Sequence, residues 1–463
     1  MITASTQPAE SAEVTVVETA GRCPFLLLIA SGVLWLVVSG ILAVISSVQL
    51  VNPGVLADCS LFTYGHTSAM AESAFIYGWV GNTGLAIALW MLARLSGEPL
   101  RAPNWVLVGT AFWNLGLLLG LIGIAATGAT AVPFLELPRM IQPIMLFSYG
   151  AIAVGGVLAW TGRRRDQMFA AQWYAVAALF LFPWIFSAAQ IMLFWFPVRG
   201  TLQAVVGGWY AQSLWTLWMA PLALAGAYYV IPRITGKVLP SYDTALTGFW
   251  TLLFVGGFTG GRHLIGGPVP AWISSLAIVT AFVLLVHYFI IWLNLRSAWS
   301  GGGGTALKFI GLGLFAYLLS GLFDAITATR GVAELTQFTL IDTAQVELGV
   351  VAGISLLLTG ALYFAVPRLL NRPWASSGLI SGHLVLTILG LAIALASLVA
   401  GGWTQAHDLA DPKVSFGTIA DHLRPWLTGV GIGQAILLLG NLLLAFNLAG
   451  TVAATVREEG VQL

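Results

Sequence analysis

Residues 339–369 read TLIDTAQVELGVVAGISLLLTGALYFAVPRL. The apolar part, residues 341–367, is long enough to cross roughly 30 Å of hydrocarbon as a helix, which takes about 20 apolar residues. A membrane-crossing strand would instead alternate polar and apolar residues over about ten positions, and no such alternation is present. The span ends in AVPRLLNRP (365–373), where Pro and Arg stop an apolar helix at a polar face. Gln345 and Glu347 lie inside it, and each costs several kcal/mol there unless it faces the interior of a bundle. Two residues apart, they point to opposite sides of the helix, about 200° round its axis.

The same pattern extends in both directions. Apolar segments of this length fall near residues 24–47, 68–94, 104–128, 141–162, 171–196, 206–232, 244–261, 269–294, 306–328, 341–367, 378–402 and 425–455. Junctions such as WTGRRRDQ (160–167) and VIPRITGKVLP (230–240) separate them. The expectation is an all-α integral membrane protein of twelve transmembrane helices. It has a polar N-terminal tail (1–23), a membrane domain (24–456) and a C-terminal tail (457–463). The first tail carries Glu10, Glu13 and Glu18, and the apolar run after it is too long for a signal peptide.

Composition agrees. Of 463 residues, 58% are hydrophobic and 8% charged, against about 25% charged in soluble domains. A net charge of +1 leaves no basic surface for nucleic acid. Two cysteines cannot make a disulfide framework, and Cys23 and Cys59 fall at opposite ends of the first span. Any chemistry must therefore use carboxylates and the six histidines. With the N-terminus in the cytoplasm, thirteen of the 19 Lys and Arg fall in inside loops, which places both termini inside. Within or beside the spans, Glu72, Arg262, His263, His287, Asp324, Gln345 and Glu347 are either satisfied interior groups or sites for ions, protons or a cofactor.

The stretch at 339–369 resembles the tenth helix of subunit I of the haem-copper oxidases, most closely the cbb-type cytochrome c oxidases. The resemblance continues through FTYG (62–65), FIYGWVGN (75–82), LELPR (135–139), WYAQS (209–213) and GGRHL (260–264). It extends through HLVLTILGLAIALASLVAGGWTQ (383–405) and GNLLLAFN (440–447), covering about residues 25–450 in order. The fold it implies is the twelve-helix bundle of that subunit. The function it implies is oxygen reduction in a bacterial inner membrane, beside other respiratory subunits such as membrane-anchored cytochromes c.

That family binds its metals through histidine, because neutral imidazole suits haem iron and copper. Matched to the family pattern, the haem-ligand positions fall on Ala71, Gln345 and Glu347. The copper positions fall on Gln212, Arg262 and His263, and the tyrosine position on Gly256. His66 matches a family arginine, His383 a histidine that is not a ligand, and Asp324 an acidic position near the catalytic pocket. Glu136 matches a glutamate that helps hold a calcium ion between haem propionates; Glu136 and His263 are the candidate metal donors.

The expectation is a chain with no cofactor of its own. A methyl cannot bind iron, amides are weak ligands, and the guanidinium of Arg262 would repel copper. A retained haem b would need Glu347 as an axial ligand, or a helix shift bringing His66 round. Emptied haem cavities need filling, and Leu214, Trp215, Trp218 and Met219 are candidates in the family geometry. The first functional reading is an oxidase-like scaffold or docking subunit for cytochromes c or another redox module. A second is a working cbb-type oxidase or nitric oxide reductase with unusual ligands. In the third, Glu72, Asp324, Gln345 and Glu347 line a path for protons or a small solute.

Overall fold

The computed structural model describes residues 7–164, 167–300 and 302–459, and among them the regular structure is entirely helical. The long helices are α1 (Gln7–Val51), α2 (Tyr64–Ser96), α3 (Pro103–Thr127), α4 (Gln142–Thr161), α5 (Ala170–Trp195) and α6 (Thr201–Thr235). They continue with α7 (Tyr242–Val255), α8 (Ala271–Trp299), α9 (Gly304–Thr327), α10 (Leu340–Leu369), α11 (Ser377–Ala410) and α12 (Phe416–Glu459). Local signals set several ends. The hydroxyls of Ser241, Thr339 and Ser376 accept from backbone N–H groups of the first turns of α7, α10 and α11. Gly97 and Gly236 take the left-handed conformation that closes α2 and α6.

Eleven of these helices are long and apolar enough to cross a membrane. The expected seventh span departs from the rest: α7 has only 14 α-helical residues and passes into a 3₁₀ helix, Gly256–Leu264. The cause is local. In GGFTGGRHL a Cβ at Gly208 of α6 would lie 2.9 Å from the Gly260 carbonyl, so two backbones meet directly where side chains would hold helices apart. α1 begins at Gln7 and α12 runs to Glu459, so both helices continue into the expected tails. Glu10, Glu13 and Glu18 carry no described side chains. Both cysteines are free thiols.

Three helices form the axis of the bundle. In α2, α6 and α10 the most apolar stretch is 94%, 100% and 94% buried, whereas other spans leave a broad apolar face outward, as with Phe147 and Phe254. A helix apolar all round must be enclosed by others, and these three are. Each contains a π-helical segment, Ala74–Gly81, Leu214–Met219 and Glu347–Ile354, as does the end of α5 at Ile191–Trp195. Such segments interrupt α-helices frequently at functional sites. Ala74 lies three residues after Ala71, Leu214 two after Gln212, and Glu347 two after Gln345, positions for which the sequence raised the expectation of a lost ligand.

Candidate functional site

Two neighbouring cavities occupy the bundle. The first, of about 320 Å³, lies between α1, α2, α10, α11 and α12 and is walled by Ala71, Glu72, Glu347, His383 and Gln434 among others. The second, of about 920 Å³, is walled by Gln212, Trp215, Arg262, His263, Asp342 and Gln345 among others. Tyr64, Ser68, Glu72, Phe134, Thr343 and Val346 line both. The second reaches the surface at exposed Pro133, Gly200 and Gln203.

At the second cavity the backbone brings three singled-out side chains together. Arg262 NH1 lies 2.5 Å from Asp324 Oδ1, and Gln345 Nε2 donates to the same oxygen at 2.5 Å. Arg262 and Asp324 are 6% and 9% exposed, so this is a buried ion pair joining the 3₁₀ segment to α9, with an amide from α10 completing it. Arg262 NH1 also donates to Thr327 at 3.4 Å, while its Nε has no partner. His263 is exposed on the rim, with its carbonyl accepting from Gln337 Nε2 at 2.5 Å. At Gly256 an added Cβ would lie 2.8 Å from the Thr216 side chain, which leaves no room for a tyrosine without rearrangement.

At the first cavity, Ala71 presents a methyl group, and its carbonyl accepts from the Ser39 hydroxyl at 2.8 Å. Glu347, 8% exposed, faces α12, whose Gln434 Nε2 donates to its carboxylate at 3.2 Å. Gln345 and Glu347 thus point to different cavities. The four residues expected to share one polar path do not: Asp324 and Gln345 belong to the ion-pair cluster, Glu347 to the first cavity, and Glu72 to the wall between. On that wall Glu72 is hydrogen-bonded to Glu136, which also accepts from the Ser73 hydroxyl at 3.1 Å. Glu136 lies in the loop between α3 and α4. Burial first, and then the neighbouring Glu72 carboxylate, hold its carboxyl well above the usual range, with the Ser73 hydrogen bond opposing them. Two carboxyls in contact therefore keep a proton between them. Phe134, on the same wall, has φ of +63°, and its carbonyl accepts from the Tyr77 hydroxyl.

The remaining histidines are placed simply. His287 bonds the Gly248 carbonyl at 2.7 Å and the Tyr317 hydroxyl at 3.0 Å, as a satisfied interior group does. His383 bonds the Tyr363 hydroxyl at 2.8 Å. His66 faces neither cavity; its ring lies near Gly128 at the end of α3. The expected filling by residues 214–219 holds for Trp215 alone, which lines the second cavity and packs against Gly349. Trp218 turns away, its ring 4.5 Å from Phe182 and its Nε1 donating to Tyr149 at 3.2 Å. Leu214 and Met219 are buried but likewise absent from the cavity walls. Among the described residues no three His, Cys, Asp or Glu side chains converge as a metal site would require.

The sequence reading missed the groups that α1, α11 and α12 bring to the first cavity: Ser39, Thr387, Gln434 and Asn441. A signal was present, since Gln434 and Asn441 are seven apart on an apolar helix and so share a face.

The comparisons with known proteins agree with this fold. The profile of the family "Cytochrome C and Quinol oxidase polypeptide I" matches residues 24–436. The chain belongs to that family. Among its relatives is the Cbb3-type cytochrome c oxidase subunit CcoN1 of Stutzerimonas stutzeri, 24% identical over 91% of this chain and 93% of that protein. Another is cytochrome c oxidase subunit 1 of Rhodobacter capsulatus, 22% identical over 90% of this chain and 83% of the relative. The fold matches a solved haem-copper terminal oxidase dimer with a TM-score of 0.68, covering 92% of this chain and 84% of that one at 13% identity. As a subunit I homologue the chain is an integral membrane protein of the haem-copper oxidase fold.

Proposed function

We propose that this oxidase-like chain has no oxygen-reducing centre of its own and serves as a scaffold or docking subunit of a respiratory or electron-transfer complex in a bacterial inner membrane. In this reading all twelve helices cross the bilayer, α7 together with its 3₁₀ extension, and both termini are cytoplasmic. The partners are membrane-anchored cytochromes c or another redox module.

The observation that carries the reading is the Arg262–Asp324–Gln345 cluster. Two of its members, Arg262 and Gln345, stand at positions that the resemblance matches to imidazoles, and a guanidinium has no lone pair to give a metal. The donor set does not fit iron or copper elsewhere either. Ala71 opposes a carboxylate already held by Gln434, and the imidazole on the first cavity, His383, is engaged by Tyr363.

The test is a pyridine haemochrome assay with metal analysis on the purified chain. Traces well below one haem per chain are expected, and stoichiometric haem would restore the oxidase or nitric oxide reductase reading. Purification of the tagged chain from native membranes, followed by in-gel haem staining, addresses docking: a haem-bearing partner should co-purify at a mass distinct from this chain.

A further inference from the structure

The second cavity has the size of a ligand site and a lining of one charge sign. Its volume of about 920 Å³ lies within the roughly 300–1,000 Å³ of small-molecule sites. The sequence makes this room on α6, where Gly207, Gly208 and Ala211 bring nothing larger than a methyl to the wall. Each axial helix adds a stripe at helical spacing: Tyr64, Ser68 and Glu72 on α2, Gln212 and Trp215 on α6, and Asp342 and Gln345 on α10.

The wall carries negative charge and no free positive charge. Asp342, whose Oδ2 accepts the Phe338 N–H at 3.0 Å, is in no ion pair among the described residues. The Glu72–Glu136 pair holds one proton between two carboxyls, so one charge remains on it. Arg262, the one Lys or Arg among the wall residues, is neutralised by Asp324. An anion would therefore be repelled and a cation attracted, more strongly where water is excluded. Tyr64, Phe134, Phe194 and Trp215 add aromatic rings, whose faces attract an ammonium group within about 6 Å of the ring centre. Phe134 is fixed there with φ of +63°, its carbonyl held by the Tyr77 hydroxyl, and backbone strain of this kind clusters at ligand clamps.

Further in, polar groups are left without partners. Gln212 is 8% exposed, and its side-chain amide bonds to nothing among the described residues. Gln345 is 2% exposed; its Nε2 is taken by Asp324, and its amide oxygen accepts from no donor among the described residues. Buried polar groups are normally satisfied by protein or by something bound. Because no three His, Cys, Asp or Glu side chains converge among the described residues, a compact metal ion finds too few donors. A bulky cation with apolar substituents matches both the charge and the rings.

We propose that the second cavity binds a small organic cation, a substituted or quaternary ammonium, with Asp342 and the Glu72–Glu136 pair as counter-charge and Tyr64, Phe134 and Trp215 as its aromatic walls. In the orientation proposed above, the mouth at Pro133, Gly200 and Gln203 faces the outside, so the ligand arrives from the outer compartment. The proposal rests on the reading that no macrocycle fills this cavity.

The test follows the thermal midpoint of the purified full chain in detergent with rising choline chloride or tetraethylammonium chloride. Sodium chloride and 3,3-dimethylbutan-1-ol, the uncharged isostere of choline, are the references. A saturable rise with at least one of the two organic cations, absent with both references, is expected. Gly207→Leu, whose side chain enters open space in the cavity, should raise the half-saturating concentration about tenfold or more. Asp342→Asn combined with Glu72→Gln and Glu136→Gln should do the same, each variant being read against its own cation-free midpoint. Asp58→Asn, on the exposed connection between α1 and α2, should leave it unchanged. No rise with either organic cation, an equal rise with a reference, or a rise unaltered in both cavity variants would overturn the site. A haem Soret band at one haem per chain in the same sample would overturn the scaffold reading as well, whereas its absence with no cation-dependent rise overturns the site alone.

Discussion

The Arg262 guanidinium and the Asp324 carboxylate lie 2.5 Å apart, almost without solvent, and tie the 3₁₀ end of the seventh segment to α9. Removing one charge from such a buried pair strands the other, which costs about 3–5 kcal/mol, whereas replacing both by apolar groups is often neutral or stabilising. Arg262→Met should therefore lower the thermal midpoint of the detergent-solubilised protein sharply. Arg262→Met with Asp324→Leu should recover much of the loss. Equal losses in single and double variants would mean that the pair is not the cause.

Ala71 and Glu347 face one cavity from different helices. Introducing histidine at both, Ala71→His with Glu347→His, supplies two imidazoles to the same space. The double variant, expressed with haem available, should gain a Soret band that the parent and each single variant lack. If neither the parent nor the double variant takes up haem, the cavity is closed to a macrocycle for reasons other than its ligands.

Gly349 lies against the Trp215 ring, and a Cβ there would overlap it. Overpacking of this kind typically costs about 1–3 kcal/mol. Gly349→Ala should lower the melting midpoint, and Trp215→Ala added to it should cancel the steric part of the loss. Full stability of Gly349→Ala would show that Trp215 can swing into the second cavity.

Glu136 is held above the usual carboxyl range by burial and by Glu72. The folded chain thus binds a proton that the unfolded chain releases near pH 4.3. Its contribution is full below that pH and is lost as pH rises through the folded value. Melting midpoints of the parent should fall across this interval relative to those of Glu136→Gln, which has no proton to lose. Parallel curves for the two proteins would contradict the shared proton.

The bundle was legible because apolar length is a strong signal, and Thr339–Leu369 alone announces a span. The family was legible too, from short motifs such as WYAQS and GGRHL, and the profile match over residues 24–436 bears that out. What could not be read was pairing. Arg262, Asp324 and Gln345 are each visible as costly polar residues, but only the fold brings the Arg262 and Gln345 side chains to one carboxylate oxygen of Asp324. In the seventh span hydropathy counts GGFTGG as ordinary helix, whereas those glycines allow backbone contact with Gly208 and a tighter 3₁₀ winding. Glu72 and Glu136 are 64 residues apart in sequence, and no local period connects them.

The π segments in α2, α6 and α10 have a consequence for how this chain tolerates length changes. Each hydrogen bond there reaches one residue further than in an α-helix, so the segment holds slack. Deleting one residue inside 74–81, 214–219 or 347–354 lets the coil tighten locally while everything beyond keeps its bearing. The same deletion a few turns away would swing the rest of an enclosed helix by about 100° and drive its far half into the wrong neighbours.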